Sequence, residues 1–440
     1  MARRPPLWVY PLLTVLCLAL FAPGFFDIPP FDRDESRFAQ ASHQMLTTGD
    51  LIDIRFQDEA RHKKPVGIYW LQAAAAALAL DDPAAKEIWA FRIPSLIGAT
   101  LAVLATAWGG ARLFGPAVGV AAAVMLASCV VLGVEARMAK TDAVLTACIA
   151  VAQFLLARFY LARDGLTPPP GTAPPGTAPA GRAPPGPASG GGGWLAGACG
   201  GGVEGPRGLL FCGATILMLA AWDRSIGWLK TLRWRLGLII VAVLVAPWLI
   251  AITIKSGGAF FAESVGHDMM GKVAGGQEGK GLPPGYYLGT FWITFFPWAF
   301  LALLALPWVW RNRADPAVRF CVAWIIPAWL VFEATPTKLL HYTLPAFPAV
   351  ALLAAAALFD ERWGVNAGGG KIWLRRAAAA LFLAAAVALC LAGAVVDQLL
   401  AGWEVWWAAV GASAALIVFA VALRPRGGGT GPRQPRVHAW

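Results

Sequence analysis

Charge is scarce in this sequence. Only 14% of its 440 residues are Asp, Glu, Lys or Arg, whereas a soluble domain carries about 25%, too few here to cover a surface that faces water. Histidine is rarer still: the five residues His43, His62, His267, His341 and His438 show no H-x-x-x-H spacing, which leaves Glu59-x-x-His62, an i, i+3 pair if helical, as a weak metal motif. The seven cysteines include no C-x-x-C pair and mostly lie inside apolar runs. They read as core thiols and exclude a disulfide framework. Alternating strand-like segments are missing too, and long Ala/Leu/Val runs without alternation exclude a membrane barrel.

What is abundant is oil. Hydrophobic residues make up 58% of the chain, with 21 Trp and a mean hydropathy of +0.60. Apolar runs of 18 or more residues with few charges are spanning helices. They recur at 7–26, 88–109, 116–134, 143–162, 236–254, 286–310, 318–334, 340–359, 377–395 and 402–423. The chain is therefore expected to be an all-α polytopic membrane protein. The first run lacks a small-residue cleavage site and reads as an uncleaved anchor. "VGIYWLQAAAAALAL", Val66 to Leu80, is too short to span comfortably and reads as an interfacial helix.

The net charge of +11 comes from Arg and Lys flanking apolar segments, where they set orientation and meet anionic lipid. It predicts no nucleic-acid partner. Arg3 and Arg4 put the N-terminus inside, and the clusters at 230–235, 311–313, 375–376 and the tail "RPRGGGTGPRQPR" belong inside as well. These agree only if 194–222 crosses twice as a hairpin, or enters and returns, giving about 12 spans with both ends cytoplasmic. The expected organisation is a membrane module at 1–164, a Pro/Gly-rich low-complexity linker at 165–207, a second membrane module at 208–423 and a short basic tail at 424–440 with no folded external domain after it.

The polar residues that solubility does not require gather on the external side. Between Asp27 and Pro65 lie Asp27, Asp32, Asp34, Glu35, Asp50, Asp53, Asp58 and Glu59, eight of the 25 acids in the chain. Asp34 and Arg37 share a helix edge at i, i+3, and Asp34 suits a helix start. The second external loop, "EARMAKTDAVL", adds Glu135, Arg137, Lys140 and Asp142, and "TPTKLLHY" sets Lys338, His341 and Tyr342 at a membrane mouth. Each group alone reads as helix-end decoration. Together, cations at a lipid boundary suit a phosphate at headgroup level, and a nearby carboxylate suits deprotonation of an acceptor.

"RDESRFAQASHQMLTTGDLIDIRF" with "KKPVGIYWLQA" resembles the opening of the polyprenyl-phosphate-dependent C-type glycosyltransferases, the family of the aminoarabinose–lipid A transferase and the dolichyl-phosphate-mannose protein mannosyltransferases. The likeness continues through "FRIPSLIGA", "EARMAKTDAVL", "APWLIAI", "FFAESVGHDMMGKVAGGQEGKGLPPGYYL" and "EATPTKLLHYTLPAFPAVALL". It implies a C-type glycosyltransferase fold with a large first external loop bearing interfacial helices. It also implies inverting transfer of a sugar from a polyprenyl-phosphate donor to lipid A, another envelope glycan or a protein, on the external face of a bacterial inner membrane.

The resemblance implies roles residue by residue. Asp34 would activate the acceptor and Asp142 would be a second essential acid. Arg37, Lys64, Lys338 and Tyr342 would bind the donor phosphate, and Glu35, Tyr69 and His341 would contact substrate, with Tyr69 and Trp70 packing near the sugar or lipid. Two departures stand out. The family's Lys before a Gly-Pro turn is Glu204 here, in "GGGVEGPRG". Its zinc-ligand places hold Lys63 and Lys280, two cations that cannot bind a third. No cofactor is expected, though a divalent metal elsewhere stays open. The competing readings are a transporter or lipid flippase, which would place ionisable groups at mid-membrane in repeated halves, and an inactive lipid-binding relative.

Overall fold

The computed structural model describes residues 5–162 save 31 and 83, residues 196–271 save 198, 233 and 270, and residues 281–360. The expected spans 377–395 and 402–423, most of the expected linker, Lys280 and the basic tail lie outside the described residues.

The described chain is helical. α1 (Val9–Phe21) leads to the first loop region, which holds the amphipathic α2 (Arg33–Thr48), a two-residue hairpin of β1 (Arg55–Phe56) and β2 (Glu59–Ala60), and α3 (Gly67–Ala79). α4 (Ile88–Phe114), α5 (Pro116–Ala127), α6 (Val130–Glu135) and α7 (Asp142–Ala162) follow. After them come α8 (Pro206–Asp223), α9 (Trp234–Ser256), α10 (Tyr286–Thr294), α11 (Ala299–Arg311), α12 (Pro316–Ala334) and α13 (Phe347–Phe359). Four of these helices are long and apolar enough to cross a membrane: α4, α7, α9 and α12. α10 and α11 would make a fifth if counted as one span, but they are bent by 119°. Pro297, which has no N–H to continue a helix, lies in that break.

The main core is built by α4 against α5 and α7, α5 against α13, and α8 against α12. Lipid offers no hydrophobic drive between helices, so small residues that let backbones approach are favoured there. Gly119 shows the need. A Cβ there would come within 2.4 Å of Ala111 N and 2.6 Å of Ala107 O, so α4 and α5 could not lie as close as they do. α5 stops at Ala127, and the Ser128 hydroxyl donates back to Val124 O at 2.7 Å while accepting from Trp298 Nε1 at 2.9 Å. The expected uninterrupted helix over 116–134 is therefore two pieces.

Residues 199–204 are helical and α8 follows as one helix, while the expected double crossing, or entry and return, of 194–222 falls partly on 194, 195 and 198, outside the described residues. The expected module boundary at 207/208 falls inside that helix. One further expectation is corrected. The Glu59-x-x-His62 stretch is a hairpin rather than a helix, and His62 Nε2 instead meets Asp53 Oδ1 at 2.9 Å.

Candidate active site

α2 begins where it does because Asp32, in extended conformation, caps it: its carboxylate accepts from Asp34 N at 2.7 Å. Asp34 and Glu35 then occupy the first turn, where the helix dipole favours anions. The two acids part company there. Glu35 is buried, and its Oε1 accepts from Arg92 Nε at 2.7 Å and from Ala139 N at 3.0 Å. It joins α2 to α4 and to the loop before α7. Asp34 keeps 33% of its side chain exposed and pairs with Arg37 at 3.7 Å.

From Asp32 a chain of ion pairs runs through the second loop. Lys140 Nζ lies 3.1 Å from Asp32 Oδ2 and 3.1 Å from Glu135 Oε1. Glu135 Oε1 also meets His341 Nδ1 at 3.2 Å, and the opposite ring nitrogen, Nε2, is 3.5 Å from Asp142 Oδ2. Asp142, the first residue of α7, reaches Arg207 Nη1 at 3.2 Å. Arg207 Nη2 lies 2.8 Å from Glu204 Oε2, which also accepts from Lys64 Nζ at 2.6 Å. The Thr141 hydroxyl donates to the other oxygen of Glu204. Eight ionisable groups from five stretches of chain thus form one continuous network.

Its chemistry is set by burial. Burial opposes the charge on Glu135, but the Lys140 ammonium and the His341 imidazole beside it outweigh that and bring the carboxyl down to about 2. Burial likewise opposes ionisation of Glu204, and Arg207 and Lys64 hold its carboxyl below the usual range. Burial pushes the Tyr69 phenol up to about 12, with Arg61 beside it working the other way and the charges of Glu204 and Asp34 also within reach.

The structure thus brings together Asp34, Arg37, Asp142, Lys64, Tyr69 and His341. Tyr342 joins through Arg207, whose guanidinium lies 4.4 Å over its ring. Glu35 and Lys338 are not brought in. Lys338 is buried and donates to Phe332 O, Glu333 O and Thr335 O at 3.0, 2.7 and 2.8 Å. Those are unpaired carbonyls at the end of α12, which a cation suits. Trp70 is exposed at 41%, and its indole donates to Leu51 O at 2.7 Å.

Arg207 was not legible as a site residue, because it sits in what reads as a poor helix-forming Gly-rich stretch. Those glycines have a use. Gly205 has φ +65°, and a Cβ on Gly67 would come within 2.6 Å of Gly202 O, so 199–205 can turn sharply against the start of α3. That contact sets Glu204 over Lys64.

As to metals, Glu135, Asp142 and His341 bring ligand atoms within 4.8 Å of one another. A cation of the chain's own, Lys140, already lies against that set.

The sequence family described as dolichyl-phosphate-mannose-protein mannosyltransferase matches residues 63–166. An undecaprenyl phosphate-alpha-4-amino-4-deoxy-L-arabinose arabinosyl transferase of Pseudomonas paraeruginosa is 26% identical over 356 residues, 78% of this chain and 59% of that protein. One from Pseudomonas fluorescens is 26% identical over 75% of this chain and 55% of that protein. The chain thus spans somewhat over half the length of the curated relatives it matches. Among solved structures, ArnT from Cupriavidus metallidurans bound to undecaprenyl phosphate superposes with a TM-score of 0.69 at 20% identity, covering 94% of this chain and 76% of that one. The archaeal oligosaccharyltransferase AglB from Archaeoglobus fulgidus gives 0.54 at 12% identity over 94% and 55%.

The helical fold is the one seen in ArnT, with several helices apolar enough to cross a membrane. In sequence, residues 63–166 resemble the protein mannosyltransferases, and most of the chain is similar to the aminoarabinose transferases at 26% identity.

Proposed function

We propose that this chain is an inverting glycosyltransferase that moves a sugar from a polyprenyl-phosphate donor to an acceptor at the external face of a bacterial inner membrane. Of the acceptors considered we take lipid A, an envelope glycolipid, as the first to test, and an aminopentose fits the arabinosyl transferases the chain resembles. The observation that carries the reading is the network itself. It links a half-exposed carboxylate at the start of α2 to cations at the starts of α3 and α8.

In this mechanism Asp34 accepts the proton of the acceptor hydroxyl as its oxygen attacks the anomeric carbon. The bond from that carbon to the phosphate oxygen breaks, and polyprenyl phosphate leaves with the electron pair. Asp32 fixes Asp34 by binding its amide, so the base stands at a defined point on a rigid helix. Arg37 and Lys64 offset charge growing on the departing phosphate. Asp142, held by Arg207 and His341, orients the acceptor, and Tyr69 and Tyr342 wall the sugar. Lys338 keeps its capping role beneath the site.

The test is mass spectrometry of envelope lipids from cells lacking the protein, complemented with the wild type or with Asp34→Asn. The wild type restores a sugar-bearing species and Asp34→Asn does not, at equal protein level; loss of a general base costs about 10²–10⁴-fold in rate. Restoration by the Asn variant would remove Asp34 as the base. An unchanged envelope on deletion would remove the activity.

A further inference from the structure

Outside the roles already assigned, one arrangement stands out. Three hydrogen-bond donors from separate stretches of chain converge on a single side-chain oxyanion. Lys64, before α3, and Arg207, in the first turn of α8, both meet Glu204 Oε2, at 2.6 and 2.8 Å, and Thr141, just before α7, binds Oε1. Only 1% of the Glu204 side chain is exposed. Nothing else in the network draws on two cations and a hydroxyl at once.

Resting on the lipid-phosphate reading above, we propose that Lys64, Arg207 and Thr141 form the seat of the donor's phosphate, and that the Glu204 carboxylate is the resident anion which that phosphate displaces. A carboxylate and a phosphate monoester present oxygens to such donors in the same way, and a guanidinium binds either in a fork. The seat is built to persist when Glu204 leaves. Arg207 keeps its second arm on Asp142 at 3.2 Å and its face on the Tyr342 ring at 4.4 Å. Thr141 stays at the entry to α7, and the starts of α7 and α8 add their own positive potential.

Glu204 stands on a packed backbone, with Val203 buried and Gly202 O against Gly67, so what moves is its side chain: three torsions let its carboxylate turn aside. In the resting chain the carboxylate neutralises two cations that burial would otherwise penalise. In the loaded chain the phosphate takes over that task. Glu204 thereby becomes a competitor that sets how tightly donor and spent carrier are held.

The experiment measures binding of undecaprenyl phosphate and of undecaprenol to the full chain in nanodiscs. Wild type, Glu204→Gln, Glu204→Asp and Arg207→Met are compared, each passed by size exclusion first. Glu204→Gln is expected to bind undecaprenyl phosphate about tenfold more tightly than wild type, since the competing charge is gone. Glu204→Asp, with a shorter arm, should also bind more tightly, and it decides the matter if the Gln variant does not fold. Arg207→Met should bind at least tenfold more weakly, and undecaprenol should not distinguish the four. Weaker binding by the Glu204 variants would overturn the proposal, making Glu204 a fixed positioning group for Lys64. Wild-type affinity in Arg207→Met would overturn it as well. If wild type fails to prefer the phosphate over the alcohol, it is the lipid-phosphate reading that falls instead.

Discussion

Lys338 shows how a residue type can be recognised while its task is not. A Lys at a membrane mouth reads as a phosphate ligand, yet all three of its donors end on carbonyls of α12 and the turn after it. Replacing it tests the difference directly. Lys338→Met is expected to cost about 1–3 kcal/mol of stability, because buried carbonyls lose their partner. Donor affinity should change less than twofold. A melting temperature unchanged beside a large loss of donor binding would return Lys338 to the phosphate. Glu204 and Arg207 show the reverse. The sequence marked Glu204 as a departure without a role, because a carboxylate where a cation belongs makes sense only once Arg207, three residues on, is seen to supply the charge.

At the scale of elements, α2 is held in place through Glu35. Its pair with Arg92 is closed to solvent on both sides, and Arg92 also donates to Phe25 O at 2.9 Å, so α2, α4 and the end of the α1 segment meet at one guanidinium. Removing one member of a buried pair leaves the other charged and uncompensated, at about 3–5 kcal/mol. Glu35→Ala should lower the melting temperature sharply, whereas a substrate contact would raise KM and leave stability alone. Apolar period and the acid at Asp34 made the helices of the first 162 residues legible in outline. Breaks at Ser128 and Pro297 were not, because hydropathy reports apolar length and says nothing of continuity. The packing of 199–205 against α3 was hidden for a different reason. Glycine contributes no pattern of its own, and the close approach it permits exists only in three dimensions.

For the whole molecule, the network makes stability depend on pH. Glu135 has its folded pKa lowered from 4.5 to about 2, so its contribution is complete above pH 4.5 and is lost as pH falls towards 2. The thermal midpoint of the purified protein should therefore hold steady from neutral pH down to about 4.5 and decline below it. In Glu135→Gln the midpoint should begin lower, and the part of the acid decline due to this group should be missing. A wild-type midpoint that rises on acidification from pH 5 to 3 would contradict the assignment of Lys140 and His341 as its partners.

The interleaving of acids and cations along Asp32, Lys140, Glu135, Asp142, Arg207, Glu204 and Lys64, with the His341 ring set between Glu135 and Asp142, has a bearing on encounter. Opposite charges a few ångströms apart cancel one another's potential well within the Debye length of about 8 Å, so this cluster at rest offers almost no electric beacon of its own to a distant anion. A carrier must then arrive by sideways drift within the leaflet, steered by its hydrocarbon chain, and is recognised as an anion only on contact. Capture should accordingly answer to the number of isoprene units far more than to the ionic strength of the medium.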